Sequence, residues 1–232
     1  MQLNQIKMSR VSNDLPVTST NPAVRFLEWK AKEGYFSYYD KGAGENIKVE
    51  LPMRFAFLEH YHAVRGWDDK SNSRLFSNEV LRIGQQELVV RSFGDGVIAQ
   101  GLYTDIKPII IGRGGKYHRS IYVMTEEGEI YNIQVKGAAS AVWSDFYKEN
   151  KSSIFDCWVE VTGTDESKKG SIKWLEPVFE IGKKLTKKED MMANAAGQQL
   201  ATYFNEKFKP QPDEDEDVEV IDQEAEVDDI AF

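Results

Sequence analysis

The sequence predicts a mainly β protein: a small five-stranded barrel with one helix between its third and fourth strands. Three observations carry that expectation. Ser120–Thr125 and Ile130–Lys136 alternate apolar and polar residues on either side of Glu126-Glu127-Gly128, the period and the breaker of a β-hairpin. Ala138–Asn150 then places Ala139, Val142, Trp143, Phe146 and Tyr147 at helical spacing. Two further apolar segments, Ile154–Thr162 and Ser171–Ile181, follow around a polar turn.

The remaining elements fall into order around this core. Residues 1–22 are polar and rich in Ser, Thr, Asn and Pro, and read as a flexible arm. Val24–Ala31 and Tyr35–Asp40 flank Glu33-Gly34 as a hairpin, and Asn46–Leu51 and Phe55–Val64 continue the strand pattern. Gly66–Asn78, with Trp67 among polar residues, reads as a surface loop. Glu87–Phe93 and Val97–Tyr103 surround Gly94-Asp95-Gly96, a turn signal. Tyr122, Gln134 and Lys136 are expected to face away from the barrel core, as is Trp158, opposite in phase to Cys157, Val159 and Val161. Gly163–Gly170 reads as a turn, and Pro177 marks an edge or a bulge. Taking Glu87–Phe93 or Val97–Ile111 as a long first strand gives the OB-fold plan, a partly open barrel that binds oligonucleotides on strands 2–3 and the flanking loops. Thr186-Lys187-Lys188-Glu189 has the form of a capping box. The helix it starts places Met192, Ala196, Leu200, Phe204 and Phe208 near one face and packs on the barrel or a second subunit. The domain reading is therefore an arm (1–22), an OB-type domain with an N-terminal β elaboration (23–185), a helix (186–210) and a disordered acidic tail (211–232).

That tail is the most informative segment. Residues 211–232 hold eleven Asp and Glu, no Lys or Arg, and end on Asp228-Asp229-Ile230-Ala231-Phe232. The whole chain carries 38 acidic and 29 basic residues. Without the eleven tail acids, residues 1–210 have 27 against 29, a charge of +2, so the acidic total does not argue against a nucleic-acid partner. Solubility explains a run of carboxylates; it does not explain Ile230 and a terminal Phe232. An apolar tip beside a free carboxylate suits a shallow pocket rimmed by Lys and Arg.

Tail and barrel together resemble the single-stranded DNA-binding proteins of bacteria and phages, whose OB-fold core is followed by a linker and an acidic tail ending in Phe. The familiar bacterial ending is Asp-Asp-Asp-Ile-Pro-Phe, from which Ala231 departs. The resemblance implies that the tip, Asp228, Asp229, Ile230 and Phe232, recruits replication and recombination enzymes. Compact bacterial members begin their barrel almost at once. The N-terminal 85 residues, an elaboration of the barrel or an extra sheet, depart from that and suggest a phage-encoded version acting in the host cytoplasm.

Other chemistry finds little support. Cys157 is alone, which excludes an intrachain disulfide, fits a reducing compartment and suits a buried small hydrophobe. No segment approaches the ~20 apolar residues of a membrane span, and the N-terminus lacks a signal peptide's apolar region, so a soluble intracellular protein is expected. His60, His62 and His118 with one Cys lack zinc-site spacing. Gly112-Arg113-Gly114-Gly115-Lys116 lacks the spacing of a P-loop, and no nucleophile elbow occurs. No enzyme, metal or cofactor is expected.

Binding single strands requires cations along a groove and aromatic faces for the bases. Arg113, Lys116, Tyr117 and Arg119 supply both beside flexible glycines. Tyr122, Lys136 and Trp158 follow as outward positions, Lys168, Lys169, Lys173 and Trp174 gather at the last turn, and Arg91 and Trp67 are weaker candidates. Each has a structural alternative: Tyr122 and Trp158 packed beneath another element, Lys168 and Lys169 a solvated turn, Trp143 in the core. The sequence thus points to a protein that coats single-stranded DNA in replication, recombination and repair, possible as a homo-oligomer. The second reading is a β-domain adaptor or DNA mimic whose acidic tail binds basic partners without binding DNA.

Overall fold

The long strand Met53–Asp68 organises the fold. In the computed structural model, which describes residues 20–207, it is the fourth of eleven strands, accompanied by three helices. The chain begins with β1 (Ala23–Lys30), β2 (Tyr35–Asp40), β3 (Glu45–Val49) and β4 (Met53–Asp68). It continues with β5 (Ser73–Ser77), β6 (Leu88–Ser92), β7 (Gly96–Gly101) and α1 (Tyr103–Gly112). Then come β8 (Gly115–Met124), β9 (Ile130–Lys136), α2 (Gly137–Glu149), β10 (Cys157–Lys169), β11 (Ile172–Lys184) and α3 (Lys187–Lys207). The expectations for residues 1–19, for Phe208 and for the acidic tail with Asp228, Asp229, Ile230 and Phe232 lie outside the described residues.

The expected five-stranded barrel does not stand by itself. All eleven strands join one open mixed sheet, ordered β3-β2-β1-β9-β8-β4-β5-β6-β7, with β10 pairing β4 and β11. The N-terminal strands enter this sheet between β9 and β11. β1 lies parallel beside β9, and its end meets β11 through Leu175 N–H donating to the Ala31 carbonyl (2.7 Å) and Trp29 Nε1–H donating to the Leu175 carbonyl (2.9 Å). The elaboration is therefore part of the same sheet.

Three expected elements are corrected. The long strand that pairs both β8 and β10 is β4, not Glu87–Phe93 or Val97–Ile111. The expected surface loop from Gly66 is the end of β4 and the whole of β5. The isoleucine run before Gly112, expected as strand, is α1, because Ile106 and Ile110 one turn apart bury against Val64, Leu75, Leu88 and Val90. β10 and β11 also extend through most of the expected polar turn, pairing as far as Lys169 with Ile172.

The sheet is packed on both faces. The inner face carries α2 and a core of Leu27, Phe55, Phe57, Ile121, Val123, Val135, Trp143 and Val159. The outer face carries α3 and a second core of Leu58, Tyr61, Tyr122, Met124, Trp158, Leu200 and Phe204. A bulge at Phe57–Glu59 resets the alternation, so His60 and His62 join Phe57 on the inner face while Leu58 and Tyr61 stay outside. α3 starts on its capping box: Thr186 N–H donates to Glu189 Oε2 (2.6 Å) and Glu189 N–H to Thr186 Oγ1 (3.3 Å). Those bonds hold the Glu189 carboxyl below its usual range.

Candidate nucleic-acid interface

The start of β8 brings the most chemistry together. Tyr117 and Arg119 point to the inner face, opposite Val64 and His62 of β4. Around them stand Tyr103 from α1, His60 and His62 from β4, and Tyr147 from α2, all partly buried. The Tyr117 ring lies 5.7 Å from Tyr103 and 5.8 Å from His62, and the His60 ring lies 4.7 Å from Tyr147. The Tyr117 hydroxyl and His62 Nδ1 form a hydrogen bond.

Arg119 is the unusual member. It is only 9% exposed, yet no described carboxylate lies within ion-pair distance. It donates to the Ser140 carbonyl and the Tyr117 hydroxyl at 3.4 Å each, both long, and its Nε has no partner. A guanidinium buried without a counter-charge is costly, and a guanidinium is the planar group that pairs with a phosphate. Burial, and after it the charge of Arg119, pushes His60 down to about 3 and His62 to about 4. Both imidazoles are therefore neutral near pH 7.

The opposite face of the same strand carries a cationic row. Arg65 pairs with Lys116, and Ala63, His118 and Lys136 lie in register across β4, β8 and β9. Burial, followed by the charges of Arg65, Lys136 and Lys116, holds His118 at about 3, against the opposing hydrogen bond to the Lys116 carbonyl. Glu79 moderates the row at 3.8 Å from Arg65.

Several expected site residues are placed elsewhere. Tyr122 and Trp158 do face away from the inner core, as their phase requires, but α3 covers them: they are 0% and 3% exposed. Tyr122 donates its hydroxyl to Glu79 (2.7 Å), and Trp158 lies beneath Arg54, whose guanidinium sits 5.2 Å from its ring. Their expected exposure is thus corrected. Arg113 is committed to structure. Its guanidinium bonds both oxygens of fully buried Asp68 and reaches Asp95, which ties the end of α1 to β4. The hydrogen bond from Arg113 holds the Asp68 carboxyl well below the carboxylate range. The neighbouring glycines serve close approach: a Cβ on Gly114, at φ +82°, would lie 2.2 Å from the Trp67 carbonyl oxygen.

Lys168, Lys169 and Lys173 are exposed at the β10–β11 tip, where Lys173 pairs with Glu166 (2.9 Å) and Trp174 donates to Glu176 (2.7 Å). The hairpin that carries them reaches the end of β1 through Leu175 and Trp29, and β9 lies between β1 and the β8 strand of Arg119. Arg91 is exposed on β6, three strands from β8 in the sheet order; Trp67 is 43% exposed.

Tyr103, Tyr147, His62 and Arg65 were not anticipated as partners of this site. Their only sequence signal is residue type, because the register that gathers them comes from β4, whose role in the sheet was assigned to another segment. Among the described residues no group of three His, Cys, Asp or Glu is placed to hold a metal ion, and no helix is long and apolar enough to cross a membrane. Comparison with known proteins adds no relative: no family model matches the chain, and no curated protein or solved structure matches it.

Proposed function

We propose that this protein binds single-stranded DNA without sequence preference, as a phage-type coating protein of replication, recombination and repair, and recruits partner enzymes through its acidic tip. The observation that carries the reading is Arg119, a nearly buried guanidinium with no carboxylate at ion-pair distance among the described residues, beside Tyr117 and His62, with Tyr103 against Tyr117. A phosphate would supply the missing counter-charge and the rings would supply stacking surfaces. Arg65, Lys116 and Lys136 add positive charge in two neighbouring rows on the opposite face of the same strands. Connectivity supports the reading as well. β4, β8, β9, α2, β10 and β11 follow an OB-type order, with β4 pairing both β8 and β10 and β1 standing where an OB barrel would close.

Burial of Tyr122 and Trp158 favours the second reading, an adaptor that does not bind DNA, because it removes two expected stacking surfaces. One titration decides. Anisotropy of labelled oligo-dT should rise on adding protein, and log affinity should fall with log salt by about 0.7 per phosphate contact. Duplex of equal length should bind far more weakly. No anisotropy change at low salt, or equal affinity for duplex, removes the single-strand reading.

A further inference from the structure

The outer face of β4, β8 and β9 buries polar groups that have nothing to bond. Tyr61, Ser120 and Gln134 lie in register across the three strands, and Glu59, Tyr122 and Asn132 form the next row. Ser120 and Asn132 are fully buried and Gln134 is 4% exposed. The Ser120 hydroxyl, both amide atoms of Asn132 and Nε2 of Gln134 have no hydrogen-bond partner. Orphaned polar groups in a native interior call for a reason, since apolar side chains of similar shape would cost less. Beside them, Phe204 of α3 stacks flat on Tyr61, with ring centroids 3.8 Å apart and planes 18° from parallel, the arrangement a nucleobase adopts on an aromatic platform.

α3 is held unevenly. Its first turn is fixed by the capping box and by Leu185 N–H donating to the Asp156 carbonyl (2.8 Å). The buried positions of its first half are Ala193 and Ala196, with Met192 partly buried beside them. Gly197 sits mid-helix, where glycine weakens helical backbone, and beyond it Leu200, Tyr203 and Phe204 provide the contact with the sheet.

We propose that the sheet face beneath the second half of α3 is a nucleobase-binding surface closed by that helix, with Phe204 occupying the place of a base on Tyr61. When the segment after Gly197 lifts, Tyr61 becomes the stacking platform, Ser120, Asn132 and Gln134 meet the polar edges of the base, and Lys136 and Lys116 lie in the adjoining rows for its phosphates. The inference rests on the single-strand reading for its ligand and adds a second contact surface, on the opposite face of the sheet from Arg119.

Asn132→Leu tests it, because the two roles of the amide have opposite signs. Relieving an orphaned amide should leave the urea midpoint unchanged or raise it, while oligo-dT binding weakens at least fivefold. Amide hydrogen exchange on the wild-type chain gives the second measurement: saturating oligo-dT should speed exchange in residues 198–207 and slow it in 116–136. If wild type binds oligo-dT and Asn132→Leu binds equally well, or if exchange in 198–207 slows on binding, this surface is not a site. If wild type binds no oligo-dT at all, the reading of the preceding section fails and takes this ligand with it.

Discussion

Replacing Arg119 by Met separates binding from folding at the proposed phosphate contact. Met is unbranched and fills the volume of the guanidinium stem, so the inner face stays packed. What is lost in folding is small, since Arg119 makes two hydrogen bonds of 3.4 Å and leaves Nε without a partner. Removing a buried charge that has no counter-ion among the described residues also removes its desolvation cost. The urea midpoint should therefore hold or rise. Binding should fall by the value of a charged hydrogen bond, about 1.5–3 kcal/mol, or roughly 10- to 150-fold. The salt dependence should also lose about 0.7 of its log–log slope, one phosphate on a single strand. Anisotropy titrations across a salt series and urea unfolding measure these quantities. The imidazoles offer an internal control. Without the Arg119 charge His60 and His62 should titrate higher, though still below 6.5, because burial is the larger cause of their depression. A variant with a lower urea midpoint and an intact salt slope would make Arg119 a structural residue and remove the principal support for the proposed function.

Further outcomes follow from the structure and from the sequence of the tail. His60, His62 and His118 have folded values of about 3, 4 and 3, below the unfolded 6.5, so the unfolded chain binds more protons between these values. Their stabilisation is fully present above pH 6.5 and is lost as pH falls toward 4, by at most about 1.4 kcal/mol per pH unit each before solvent screening reduces it; a urea midpoint unchanged from pH 7 to 5 would contradict this. Tyr122→Ala, at a fully buried position, should cost about 3–5 kcal/mol of stability; a loss of binding with a cost below about 1 kcal/mol would place the ring on the surface after all. Lys168→Ala with Lys169→Ala should leave the melting temperature unchanged and weaken oligo-dT binding, whereas unchanged affinity would make the hairpin tip a solvated turn. Deleting residues 211–232 should tighten single-strand binding modestly at low salt by removing a tethered polyanion, and deleting Phe232 alone should abolish partner capture with little change in DNA affinity. A pull-down retaining every partner without Phe232 would reduce the tail to a solubility device.

Much of the local structure was legible. The β8–β9 hairpin, α2, the first β-hairpin and the capping box of α3 each rest on a period or a turn signal within a dozen residues, and each forms where that signal lies. The phase of Tyr122 and Trp158 was legible too. Their exposure was not, since phase reports which face a residue occupies and says nothing about what lies on it. The cover is α3, whose apolar positions Ala196, Leu200 and Phe204 could be read but whose docking site could not. α1 failed for a different reason. Three consecutive isoleucines favour a strand, and only the packing of Ile106 and Ile110 beneath β5–β7 reverses that preference.

The misplacement of the first barrel strand had the widest consequence for the site. β4 runs for sixteen residues, beyond the usual length of a strand, and its bulge changes which residues face inward halfway along. Local pattern sees two unrelated pieces there: an apolar run ending at Val64, then a polar stretch around Trp67. Joined, they carry His60 and His62 to Arg119 on one face and Arg65 to Lys116 on the other. The residues that make β8 a candidate interface are thus supplied by a strand more than fifty positions earlier, through pairing that short-range periodicity does not encode. The Arg113-to-Arg119 segment drew notice for its cations and aromatics. Its two arginines take opposite roles: Asp68, at the end of that same long strand, holds the guanidinium of Arg113, while Arg119 meets no carboxylate among the described residues.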